Sequence, residues 1–136
     1  MDLGEMRIQI LYQTNNDADD LGDFLPHLND YVNEGYDRAV QAWCGEHVSE
    51  DSEVYTPLVN EHSTPALPAW THRAMVDWAT WLVYRNGNPG KQNRGAVFRA
   101  SAEEKLATIS GLMDGQKTYE GVAVRRPKQY IHNIPL

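Results

Sequence analysis

LPAWTHRAMVDWATWLVYRNGNPG, residues 67–90, is the most informative stretch of the chain. Thr64-Pro-Ala-Leu-Pro68 gives a rigid, extended lead-in, because a residue before proline is pushed out of the helical region. From about Ala69 to Asn86, Trp70, Ala74, Met75, Trp78, Ala79, Leu82 and Val83 recur at helical spacing. Trp81 and Tyr84 widen that apolar face, and three of the four tryptophans lie here. A helix apolar on most sides must sit at the centre of a core or be covered by another subunit. Gly87 suits the left-handed position just past a helix end, and Pro89 follows it. Asn86-Gly-Asn-Pro-Gly90 is therefore a tight turn between two helices.

The next helix runs from about Pro89 or Lys91 to Met113. Ala96, Val97, Phe98, Ala100, Leu106, Ile109, Leu112 and Met113 supply its apolar side. Its first half carries Lys91, Arg94 and Arg99, a basic face near the turn, and Asp114-Gly115 closes it. Upstream, Asp23 can cap a helix with Pro26 in its first turn. Leu25, Leu28, Val32, Ala39, Val40 and Trp43 form its stripe, with Tyr31 and Tyr36 on the edges. Asp30, Asn33, Glu34, Asp37, Arg38 and Gln41 fall mostly on the other face. Gly35 costs that helix about 1 kcal/mol relative to alanine. It either admits another backbone or is simply tolerated. Gly45 ends the helix. A shorter helix covers Leu3 to Tyr12, weakened by Gly4.

The expectation is an all-α bundle of about four helices with a long 46–67 loop and an extended C-terminal arm. Leu28, Val32, Trp43, Trp70, Trp78, Leu82, Phe98 and Leu106 are the expected core. Within the loop, Val54–Val59 is β-prone, but Pro57 limits it to an edge or an isolated extended piece. Loops of that length usually bind something or order on assembly. Residues 1–114 form the helical domain, and 115–136 the arm.

The chain has 136 residues, enough for one core. Its net charge of −7 argues against a nucleic-acid binder that uses its whole surface. One cysteine, Cys44, excludes an intramolecular disulfide framework and a multi-thiolate zinc site. No apolar run approaches the roughly 18 residues of a membrane span. The first residues carry acids where a signal peptide needs bases, so no secretion signal is expected. The charge is polarised. Residues 1–61 hold 14 acids and two bases, and residues 62–136 hold ten bases and five acids. Such halves attract each other within one chain or face each other between neighbouring copies.

A search for reactive groups finds no nucleophile motif, phosphate loop or dinucleotide fingerprint. Asp17, Asp19 and Asp20 suggest calcium, and Gly22 falls at the sixth position of an EF-hand counted from Asp17. The twelfth position is Leu28, so the bidentate ligand is missing. Cys44 and His47 could hold a metal with His62 or His72, or form a thiolate–histidine couple. A small buried thiol beside a surface histidine explains them more simply. Asp77 lies among tryptophans, where a salt bridge to Arg94 or Arg99 would account for it. His72 reads as a satisfied surface position. No catalytic residue, metal ligand or cofactor is expected.

Three stretches carry a family resemblance. Phe24–Val40 (FLPHLNDYVNEGYDRAV), Leu67–Leu82 (LPAWTHRAMVDWATWL) and Asn88–Phe98 (NPGKQNRGAVF) resemble the head–tail adaptor, or connector, proteins of tailed bacteriophages. The likeness spans about residues 22–113 and rests on packing motifs. It implies a non-enzymatic virion protein of the neck, at the head–tail interface and in the host cytoplasm during assembly. Identical subunits would form a homo-oligomeric ring, commonly a dodecamer, beneath the portal protein. The ring would extend the channel for passing genomic DNA, without sequence-specific binding or membrane contact, and carry the next neck or tail protein. In the arm, Arg125, Arg126, Lys128, Tyr130, Ile131 and Ile134 would dock on the portal or a neighbour. Two alternatives stand beside this: a small helical DNA-binding regulator, and another neck protein such as a stopper.

Overall fold

Eleven of the 14 residues of the tryptophan-rich helix are buried, which makes it the centre of the fold. The computed structural model describes residues 1–14, 27–45, 56–85 and 89–120, with 114–120 as backbone alone. These residues form four helices and no strand, so the all-α bundle holds. We label them α1 (Leu3–Thr14), α2 (Leu28–Cys44), α3 (His72–Arg85) and α4 (Pro89–Glu120). A 3-10 turn, Ala69–Thr71, leads into α3. The acidic run with the calcium reading, Asp23, Pro26, the 46–55 part of the loop, the 86–88 turn and residues 121–136 lie outside the described residues.

α3 and α4 form an antiparallel hairpin with a legible register. The Tyr84 and Phe98 rings stack with centroids 6.2 Å apart, Arg99 lies 5.3 Å over the Trp81 ring, and Ser101 donates to Asp77 at 2.9 Å. Gly95 sits under Tyr84 and Trp81, where a β-carbon would lie 2.6 Å from Tyr84 Cβ.

α2 crosses the same helix from another side. Leu28, Val32, Ala39, Val40 and Trp43 of its stripe are buried, as the periodicity predicts, and so is Tyr36 at the edge, while Leu25 lies outside the described residues. Gly35 does admit a backbone. A β-carbon there would stand 2.8 Å from the carbonyl oxygen of Met75 and 2.9 Å from its Cα. Gly45 ends α2 at φ 94°, a left-handed value that favours glycine, and its N–H donates to the Gln41 carbonyl at 2.8 Å.

α1 covers α3 with Leu3, Met6 and Ile10. It opens on a reciprocal cap: the Glu5 N–H donates to Asp2 Oδ1 at 2.8 Å, and the Asp2 N–H donates to Glu5 Oε1 at 3.2 Å. Two more first-turn donors, the Leu3 and Gly4 N–H groups, find the Ser63 and Glu61 carbonyls at 2.9 Å.

Thr56–Val59 forms no strand among the described residues. Its backbone is clamped by a side chain instead. The Leu58 N–H donates to Asn33 Oδ1 at 2.7 Å, and Asn33 Nδ2 donates to the Leu58 carbonyl at 2.9 Å. Farther along, the Ala66 N–H donates to the Tyr36 hydroxyl at 2.8 Å. Asn33→Ala is expected to destabilise by about 1–3 kcal/mol, because both Leu58 backbone groups lose their partner. Urea unfolding of the variant checks it, and an unchanged midpoint would show that the clamp holds nothing.

Two expectations need correction. α4 does not close at Asp114-Gly115 but continues to Glu120, so residues 115–120 are helical rather than part of an extended arm. One glycine costs a helix about 1 kcal/mol, and no proline follows before Pro127 to stop it. Among the expected core residues, Leu28, Val32, Trp43, Trp78 and Leu82 are buried, whereas Trp70, Phe98 and Leu106 are only half-buried at its edge.

Candidate interaction surface

Three polar side chains of α3, His72, Asp77 and Thr80, are buried, and each bonds a neighbouring segment. Asp77 accepts from Gln13 Nε2 of α1 at 3.0 Å and from Ser101 Oγ of α4 at 2.9 Å, and pairs with Lys105 of α4. A salt bridge to α4 was expected, but the partner is Lys105, not Arg94 or Arg99. The hairpin register places Ser101 across from Asp77 and Lys105 one turn beyond it. Arg99 lies nearer the turn, over Trp81, and pairs with Glu103 at 3.0 Å. Thr80 extends the network by donating to Gln13 Oε1 at 2.6 Å.

His72 is buried rather than a surface residue, since the lead-in segment and α1 fold over it. Its Nε2 lies 2.9 Å from the Leu67 carbonyl, and the Met1 amine donates to Nδ1 at 2.8 Å. Burial pushes the imidazole below its ordinary pKa. The Leu67 carbonyl pulls the other way, and the nearby ammonium charge adds to the lowering. The unfolded chain thus takes up this proton at a higher pH than the folded one. Stability is full above about pH 6.5 and falls as the pH drops from there through the folded pKa. His72→Gln is expected to flatten that acid limb. Melting temperature followed from pH 8 to pH 5 checks it, and equal slopes in both proteins would exclude His72 as the cause.

Burial also raises the Tyr84 hydroxyl above its ordinary value, opposed by the Arg94 guanidinium beside it. That hydroxyl donates to the Thr14 carbonyl at 2.9 Å and ties the end of α1 to α3.

The outward surface carries the charge. On α2, Asp30, Glu34 and Asp37 form a ridge opposite the buried stripe and, with Asn33 and Pro57, line an open groove of about 520 Å³. Arg38 leaves the ridge to lie 4.6 Å over the Trp78 ring. At the other extreme, Arg85, Lys91, Arg94 and Arg99 cluster about the turn end of the α3–α4 hairpin, and all are exposed. Large apolar side chains are also uncovered: Val97 on α4 at 67%, Val59 beyond Pro57 at 80%, and Tyr12 on α1 at 72%.

Cys44 is half-buried and His62 exposed, and His47 lies outside the described residues. Among the described residues no three His, Cys, Asp or Glu side chains come together as a metal site. The expected docking residues Arg125, Arg126, Lys128, Tyr130, Ile131 and Ile134 also lie outside them. No described helix is long and apolar enough to cross a membrane. No protein-family model, curated protein or solved structure matches the chain. The charged faces escaped the sequence reading as sites. The spacing of Asp30, Glu34 and Asp37 was visible, but their alignment along a groove depends on the Asn33–Leu58 clamp.

Proposed function

We propose that the chain is a structural head–tail adaptor of a tailed bacteriophage, with no catalytic step. In this reading it joins a ring beneath the portal protein, extends the DNA channel and carries the next neck or tail protein. The observation that carries the reading is the role of the segment bearing the resemblance. Residues 67–98 supply α3 and the start of α4, and their inward polar groups are spent on packing: Asp77 holds α1 and α4, and His72 holds the lead-in segment and the first residue. Such a segment serves as scaffold. The C-terminal arm, with Arg125, Arg126 and Lys128, is assigned to portal docking.

Quantitative mass spectrometry of purified particles, with and without tails, tests this. A fixed count of about a dozen copies per particle supports a closed cyclic ring. Absence from particles, with the protein abundant in the infected cell, removes the adaptor reading. Unchanged portal binding after deletion of 117–136 removes the docking role alone.

One observation favours a second reading, a small helical DNA-binding regulator. Between Asp77 and Glu103 the chain has four bases and no acid. That reading requires duplex affinity that falls steeply with salt.

A further inference from the structure

We infer that copies of this chain join through two oppositely charged faces, the basic end of the α3–α4 hairpin of one copy seating on the acidic α2 ridge of the next. The inference rests on the ring reading above and names the surfaces that would build it.

The basic face is built from Arg85 and Arg94, with Val97 exposed one turn beyond Arg94 on α4; Arg99 lies round the helix, paired with Glu103. The acidic face is built from Asp30, Glu34 and Asp37, with Pro57 lining its groove and Val59 exposed two residues on. Each face thus offers an apolar side chain among charges of one sign, the composition of a contact with an apolar centre and a polar rim. No ion pair between described residues joins the two faces within one chain. Among the described residues, the ion pairs of Arg7 with Glu61, Arg99 with Glu103 and Lys105 with Asp77 involve none of the ridge carboxylates, and Asp37 accepts only a neutral donor, Gln41 Nε2 at 3.0 Å. Glu34 stands one turn from Asp30 and one from Asp37, so the carboxylates repel along the helix until a basic surface covers them.

The occupant follows from this complementarity. Nucleic acid would engage the basic end and leave the ridge bare. A second copy satisfies both faces at once. Because the two faces differ, each contact leaves one face free on each outer copy, so the association continues, into a ring if the rotation between copies closes and into an open filament if it does not.

Paired charge reversals test it. One variant carries Glu34→Lys and Asp37→Lys, the other Arg85→Glu and Arg94→Glu, with helical circular dichroism and cooperative melting confirming that each folds. Sedimentation of the wild type is expected to show self-association at low ionic strength that weakens as salt is added. Each variant alone should associate on the order of tenfold more weakly or worse, since attraction becomes repulsion. An equimolar mixture should recover association, because the reversed ridge of one meets the reversed hairpin end of the other. A wild type that stays monomeric at low salt would overturn the inference. So would variants that associate normally, or a mixture that fails to recover. A basic end that binds duplex DNA without any self-association would overturn it in favour of a nucleic-acid partner. Particle counts separate this from the adaptor reading. Reversal variants that enter particles at the wild-type copy number would remove the interface and leave the adaptor standing. Absence of the wild type from particles would remove the adaptor reading and leave the sedimentation result intact.

Discussion

Gly35→Ala is expected to destabilise the protein by about 1–3 kcal/mol, although alanine is the better helix former by about 1 kcal/mol. The reason is the crossing of α2 over α3. The added methyl would stand 2.8 Å from the Met75 carbonyl oxygen and 2.9 Å from Met75 Cα, closer than a real β-carbon comes to such atoms. Both obstacles are backbone of the central helix, so no side chain can swing aside. Either the helices separate, and the buried contacts of Val32, Tyr36 and Ala39 loosen, or α3 bends and disturbs α1 and α4 behind it. Gly95→Ala is expected to behave similarly, since its β-carbon would meet Tyr84 Cβ at 2.6 Å. Gly111→Ala is the control. Nothing lies within 4 Å of the added methyl, so the change should stabilise by about 0.5–1 kcal/mol. Urea unfolding of the three variants checks the set. A raised midpoint for Gly35→Ala would mean that the crossing is looser than this geometry requires.

These glycines also show what was legible in the sequence. The stripe on α2 follows from spacing alone, because a 3.6-residue period specifies which residues share a face. Gly35 marks a place where a backbone can approach, but periodicity cannot say which backbone. Whether the apolar α3 was central or covered by another subunit was equally open, and burial by α1, α2 and α4 settles it as central. His72 was misplaced for a related reason. Its position at a helix start looks like surface until the Leu67 carbonyl and α1 close over it. The helix end at Asp114-Gly115 was misread because Asp-Gly is a good turn, yet nothing in the next turn forbids helix. The Asp77 partner was misassigned because both arginines lie on the turn side of the register. Only the hairpin geometry shows that Asp77, eight residues before Arg85, is matched by Ser101 and by Lys105 one turn on.

That last pair carries the second large prediction. Lys105→Met is expected to destabilise by about 3 kcal/mol, the lower end of the range for removing one partner of a buried ion pair. The two ends are unequally placed. The Asp77 side chain is 5% exposed and the Lys105 side chain 41%. Removing the lysine therefore strands a carboxylate that cannot reach water, with only Gln13 and Ser101 left to donate to it. Asp77→Asn should be milder, about 1–2 kcal/mol, because the freed ammonium can turn outward to solvent. In the double variant the stranded charge no longer exists. Its cost should fall below the sum of the single costs by about 1–2 kcal/mol, the coupling expected of residues in one network. A urea double-mutant cycle measures this directly, and additive costs would mean that the ion pair does not hold the hairpin. The position of the pair gives the result a reach beyond stability. Asp77 and Lys105 brace α4 against α3 on the side away from the turn, and the Tyr84–Phe98 stack and Arg99 over Trp81 continue that register toward it. Arg85, Arg94 and Arg99 keep their arrangement at that end only while the two helices stay in register. Lys105→Met should therefore weaken self-association through the basic face as well, at temperatures where the variant is still folded.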